Sequence, residues 1–163
     1  MTQHDATQRE QPWSDDPSGA ARVVVLTRNP IAEAIASIAT TAGRQVTVIE
    51  ADADGQGVAA LAGLGLRDGD AVVLCDHDAP DAPQVLRDAL ASPASYVAMM
   101  ASRRRSEGLL AELEQEQVPG LGKLHVPAGL NTGGKAPGEI ALSVVAEVVA
   151  CSYGRDGGPM GRR

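Results

Sequence analysis

Apolar and polar positions alternate along this chain in blocks that predict five strands separated by helices. Arg22–Leu26 is a continuous β-branched and aliphatic run, as in a strand covered on both faces. Asn29 and Pro30 then suit an N-cap and a first helical position, and Ile31, Ile35, Ile38 and Ala39 mark one helical face that Gly43 closes. Gln45–Glu50 reads as the second strand. After a glycine-punctuated stretch with a short helix near Val58–Ala62, Asp70–Cys75 reads as the third. Asp81 through Ala91 predicts a helix, with Asp81 and Gln84 spaced as a capping box. Ser95–Met100 is the fourth strand, and Ser102 caps a helix running from Arg103 to about Gln117. Leu124–Val126 is a brief fifth strand before the loop Pro127–Ala136. Pro137 opens a last helix on which Glu139, Ser143 and Glu147 form one narrow polar stripe, expected to face water.

Strands and helices at this spacing predict an α/β, Rossmann-like doubly wound parallel sheet of about five strands with helices on both faces. The boundaries follow: a disordered polar leader at 1–20, the Rossmann-like domain at 21–152, and a flexible tail at 153–163. Composition narrows the picture further. The 163 residues include no Phe, two Tyr and one Trp, so the core must be built from Val, Leu, Ile and Ala. The net charge of −7 argues against a nucleic-acid surface, and no apolar run is long enough to cross a membrane. Two distant cysteines and a polar start without a secretory leader fit a reducing cytoplasm.

Ligands of such sheets sit beyond the carboxyl ends of the strands. That rule selects Thr27–Asn29, Glu50–Asp52, Asp76–Asp78, Ala101–Arg104 and Ala128–Lys135. A dinucleotide fingerprint after the first strand would need glycines where Thr27 and Asn29 stand. Only Ala32 keeps the pattern, with Glu50 placed to meet a ribose, so NAD(P) is the weaker cofactor expectation. Gly129–Lys135 holds G-x-x-x-x-G-K, but Ala136 lacks the hydroxyl that would hold Mg²⁺, and a nucleotide hydrolase is not expected. The loop's glycines, at the mouth of a buried helix, still suggest an anion seat. His77, between Asp76 and Asp78, could exchange protons or donate to a ligand. Cys75 reads as inert core. Ser102-Arg103-Arg104-Arg105 sets guanidinium groups at a helix start, where the dipole opposes them, which hints at an anionic partner.

The segments SYVAMMASRRR (95–105) and HVPAGLNTGGKAPGEIALSVVAEVVA (125–150) resemble the carboxyl-terminal Rossmann domain of the XdhC/CoxI family, accessory proteins of xanthine dehydrogenase and related molybdenum hydroxylases. Tyr96, Val97, Ser102, Arg103 and Arg104 match the first family motif. His125, Pro127, Gly129, Leu130, Gly133, Pro137, Glu139, Ile140, Ala141, Ser143, Ala146 and Glu147 match the second. The family's Thr-His-Asp corresponds to Asp76-His77-Asp78. The glycines expected at 98 and 101 are Ala98 and Ala101, and the family's amino-terminal domain has no counterpart here.

The resemblance implies a non-enzymatic chaperone that binds the molybdenum cofactor (molybdopterin) and helps insert it. Implied partners are a molybdenum hydroxylase subunit, a cysteine desulfurase and a separate protein supplying the missing domain, with a homodimer as a further candidate. The resemblance puts His77, Ser102, Arg103, Arg104, His125, Gly129 and Gly133 around the pterin and its phosphate, and the strand-end rule adds Asn29, Glu50, Asp76, Asp78, Asn131 and Gly134 to the expected binding set. No catalytic or metal-ligating residue is expected. The alternatives are an NAD(P)-binding oxidoreductase and a ligand-free scaffold working through protein contacts.

Overall fold

The computed structural model describes residues 21–50 and 55–161; the expected leader at 1–20 lies outside them, as do residues 51 and 52 of the second strand end. The strands are β1 (Arg22–Leu26), β2 (Gln45–Ile49), β3 (Ala71–Leu74), β4 (Tyr96–Met99) and β5 (Leu124–His125). They pair in parallel in the order β2-β1-β3-β4-β5, so the order reverses between β1 and β3. The helices are α1 (Pro30–Thr41), α2 (Gln56–Gly63), α3 (Ala82–Ala91), α4 (Arg103–Gln115) and α5 (Pro137–Ser152).

Period-two alternation divides the core between the two faces of the sheet. Val24, Leu26, Val72, Leu74, Val97 and Met99 pack with Leu61, Val85, Leu86, Leu90 and Leu113, placing α2, α3 and α4 on one side. Val23, Val25, Val73, Tyr96 and Ala98 pack with Ile35, Ala39, Val144, Val145 and Val148, placing α1 and α5 on the other. Because both faces are covered, the inner strands are apolar at every position but Arg22, which is why they read as unbroken runs.

The ends of the elements explain where the chain turns. Asn29 caps α1 by accepting from Ala32 N–H at 2.9 Å, and its carboxamide donates to Cys75 O at 3.1 Å, tying β1 to β3 at the switch point. Ser102 caps α4 through Arg105 N–H at 3.2 Å. Asp81 departs from the expected capping box. Its carboxylate accepts nothing from its own helix and instead takes Gly55 N–H at 2.5 Å and Gly57 N–H at 2.8 Å, anchoring the start of α2. Gln84 turns outward to Asp88. At the opposite end of the sheet Asp70, 1% exposed, accepts from Arg22 Nη2 at 2.7 Å and from the backbone N–H groups of Arg22 and Arg67. Beyond α5 the chain doubles back: Arg155 N–H donates to Ala150 O, and Gly157 lies against Leu130.

Candidate functional site

Between the start of α4 and the loop after β5 lies a cleft of about 390 Å³. Its walls include Arg103, Gly129, Asn131, Gly133, Gly134 and Lys135, with Ile140 and Ser143 of α5 beneath. The two sequence segments that stood out therefore meet in space, as β4 and β5 are adjacent and both end here.

The polar stripe of α5 builds the loop. It was expected to face water; Glu139 does remain exposed, but Ser143 and Glu147 are withdrawn from water, and all three meet residues 128–136. Glu139 takes Lys135 N–H at 2.9 Å and Ala136 N–H at 3.1 Å. Ala136 has no side-chain acceptor to return the bond, so this is half of a capping box. Those two bonds hold the Glu139 carboxyl below the ordinary glutamate range. Ser143, 6% exposed, accepts Leu130 N–H at its carbonyl, and its hydroxyl lies against Gly129 so closely that any Cβ there would overlap it. Gly129 has φ +99°, which glycine adopts at least cost. Glu147 accepts Gly129 N–H at 3.1 Å.

This internal bonding corrects the reading of the loop as an open anion seat. The N–H groups of Lys135 and Ala136, just before α5, are taken by Glu139, which puts a carboxylate where a P-loop would put a phosphate. Gly129, Leu130 and Thr132 also donate within the protein. Among the described residues, no protein acceptor takes the N–H of Asn131 or Gly133, and Arg103 and Lys135 form no ion pair. These four groups, with the Asn131 side-chain amide and the Thr132 hydroxyl, are the cleft's remaining donors.

The other predicted residues fall into separate places. His77 donates from Nδ1 to Met100 O at 2.8 Å, because a carbonyl can only accept. Its Nε2 stands 3.4 Å from Asp78, which also receives Arg105 Nη1 at 2.6 Å. Asp76 accepts Asp78 N–H in a tight turn. Arg104 is exposed beside Arg103. Glu50 lies at the far edge of the sheet, bonded to Arg28 Nε at 2.5 Å. With β1, β3 and β4 between β2 and β5, Glu50 is about four strand spacings, roughly 19 Å, from the loop. The amide of Asn29 is already committed to Ala32 and Cys75.

His125 belongs to a half-buried cluster that sequence reasoning did not assemble. Its ring stacks on Tyr96 with centroids 4.4 Å apart, Nδ1 is 3.4 Å from Glu147 Oε1, and Nε2 is 4.0 Å from Cys151 Sγ. Burial raises Glu147, but hydrogen bonds from His125, Tyr96 and Gly129 outweigh it and hold the carboxyl below its ordinary value. Burial, then the Glu147 charge, raise the Cys151 thiol. Burial and the charge of Asp76 push Cys75 up to about 12, so it stays protonated and inert. The matching of Tyr96, His125 and Glu147 to the two motifs was a signal for this cluster, although spacing alone carried none.

The sheet order and the cleft beyond its strand ends define a doubly wound α/β protein of Rossmann type, with its candidate site formed after the fourth and fifth strands. Residues 23–148 match the XdhC Rossmann domain, and the chain belongs to that family. It is 29% identical over 116 residues to the uncharacterized protein YqeB of Escherichia coli K12, a match covering 70% of this chain and 20% of YqeB. A crystal structure from Bacillus halodurans, titled as a xanthine dehydrogenase, superposes with TM-score 0.69 at 20% identity, covering 83% of this chain and 44% of that one. That likeness is one of fold. The chain thus spans less than half the length of either protein.

Proposed function

We propose that this chain is an accessory protein in the maturation of a xanthine-dehydrogenase-type molybdenum hydroxylase, and that it holds the molybdenum cofactor in the cleft between α4 and the loop. The observation that carries the reading is convergence: Arg103 from one family-like segment and Gly129, Asn131, Gly133 and Gly134 from the other line a single cleft. Family membership and the xanthine-dehydrogenase title of the structural neighbour support the accessory role.

The residues suit the phosphate end of such a cofactor, offering two cations and two backbone donors. They offer the metal nothing comparable. Among the described residues no group of His, Cys, Asp and Glu is arranged to hold an ion, Cys75 is buried, and Cys151 faces His125. Once delivered, the cofactor supplies the redox centre of the client enzyme; this chain's part is to hold and orient. The NAD(P) reading is weaker because Asn29 and Glu50 already have internal partners.

Anaerobic titration with free molybdenum cofactor tests the proposal, alongside co-purification with a hydroxylase subunit. Saturable binding that weakens in an Arg103→Ala/Arg104→Ala variant is the expected result. A cooperatively melting protein that binds no cofactor yet retains the subunit would shift the reading to a scaffold acting by protein contact.

A further inference from the structure

The hydrogen bonds of the loop specify where an anion can sit. In a P-loop the phosphate rests on N–H groups at the start of the helix. Here the corresponding groups, Lys135 and Ala136, are held by Glu139, whose carboxyl is kept ionised by those bonds. Gly134 packs tightly on the same side chain, since a Cβ there would approach Glu139 Cβ to 2.5 Å. The two N–H groups that lead into the helix are therefore closed from inside.

The loop's tip has the opposite character. The N–H groups of Asn131 and Gly133 lack protein acceptors, and a Cβ at Gly133, where φ is +79°, would meet nothing within 4 Å. Arg103 and Lys135 line the same cleft without ion-pair partners, in a chain whose net charge is −7. Arg105, two positions on, is neutralised by Asp78, whereas among the described residues Arg103 and its exposed neighbour Arg104 form no ion pair.

We propose that the cleft is a phosphate-monoester seat at the tip of the loop, formed by Arg103, Lys135 and the N–H groups of Asn131 and Gly133, with Glu139 excluding the anion from the N–H groups of Lys135 and Ala136. This assignment rests on the cofactor reading only for the identity of the rest of the ligand. The seat itself is defined by its own donors.

Inorganic phosphate is the probe, followed by amide chemical shifts of the whole chain, with acetate as a control of lower charge. Saturable shifts at Asn131 and Gly133, weakened tenfold or more in Arg103→Gln and in Lys135→Gln, are expected. Lys135 and Ala136 amides should move little in the wild type and should respond to phosphate in Glu139→Gln, where they are no longer held by a charged acceptor. Shifts centred on Lys135 and Ala136 in the wild type, equal responses to acetate and phosphate, or no saturation at all would each overturn the proposal. Thermal melting of each variant confirms that the fold is intact. Phosphate bound at the tip by a protein that ignores molybdenum cofactor would uphold the seat and reject the cofactor reading, so the two can fail separately.

Discussion

Tyr96 Oη donates to Glu147 Oε1 at 2.6 Å across 51 positions of sequence. The same oxygen receives Gly129 N–H and faces His125 Nδ1, so one carboxylate joins β4, β5, the loop and α5.

Stability should therefore carry a signature of Glu147 at acid pH. Its folded pKa lies below the ordinary glutamate value, so its contribution is complete above about 4.3 and is lost as pH falls through the folded value. Urea titrations from pH 7 to pH 3 should show a shallower acid decline in Glu147→Gln than in the wild type. Parallel curves would mean that the network holds no charge. Tyr96→Phe at pH 7 should cost about 1.5–3 kcal/mol, as for a hydrogen bond to an ionised acceptor.

Two glycines of the loop should respond differently to alanine. Gly129→Ala combines φ +99° with overlap onto Ser143 and should cost roughly 3 kcal/mol or more. Gly133→Ala meets open space and should cost about 1 kcal/mol, from its positive φ alone. Chemical denaturation of both variants checks the order; equal losses would mean that Ser143 yields.

Arg22 and Asp70 form the ion pair that fixes β1 to the turn before β3, and the arginine also donates to Leu64 O and Gly65 O. Arg22→Leu leaves a nearly inaccessible carboxylate without its cation and should destabilise by about 3–5 kcal/mol at pH 7. Arg22→Leu/Asp70→Asn should recover part of that loss in a double-mutant cycle. A double variant whose loss equals the sum of the two single losses would show that the pair is not coupled.

The two cysteines differ in access. Iodoacetamide followed by mass spectrometry at pH 8 should label half-exposed Cys151 roughly tenfold faster, or more, than Cys75, which is 6% exposed and pushed up to about 12. Glu147→Gln removes a charge that raises the Cys151 thiol and should speed its labelling. Similar rates at both thiols would mean that the end of β3 opens readily.

The sequence revealed what is decided within one element. Asn29 and Ser102 cap helices through residues three positions away, and strands covered on both faces cannot conceal their apolar runs. The five-strand doubly wound fold followed from those signals. Features that depend on distant partners were misread or missed. Asp81 carries the spacing of a local cap, yet its acceptors serve Gly55 and Gly57, 26 and 24 residues earlier. The helical period of α5 identified its polar stripe but could not say that the chain's own loop bonds to it. Likewise Arg103 and the glycine-rich loop could be nominated separately, while only the adjacency of β4 and β5 shows that they share a cleft.

Glu139 gives the loop an incumbent. Tethered within four residues of the N–H groups it holds, its carboxylate acts at an effective concentration that a dissolved carboxylate at cellular levels would struggle to match. A stray metabolite acid would therefore compete poorly for these two N–H groups. Selectivity in this cleft begins with a position already filled.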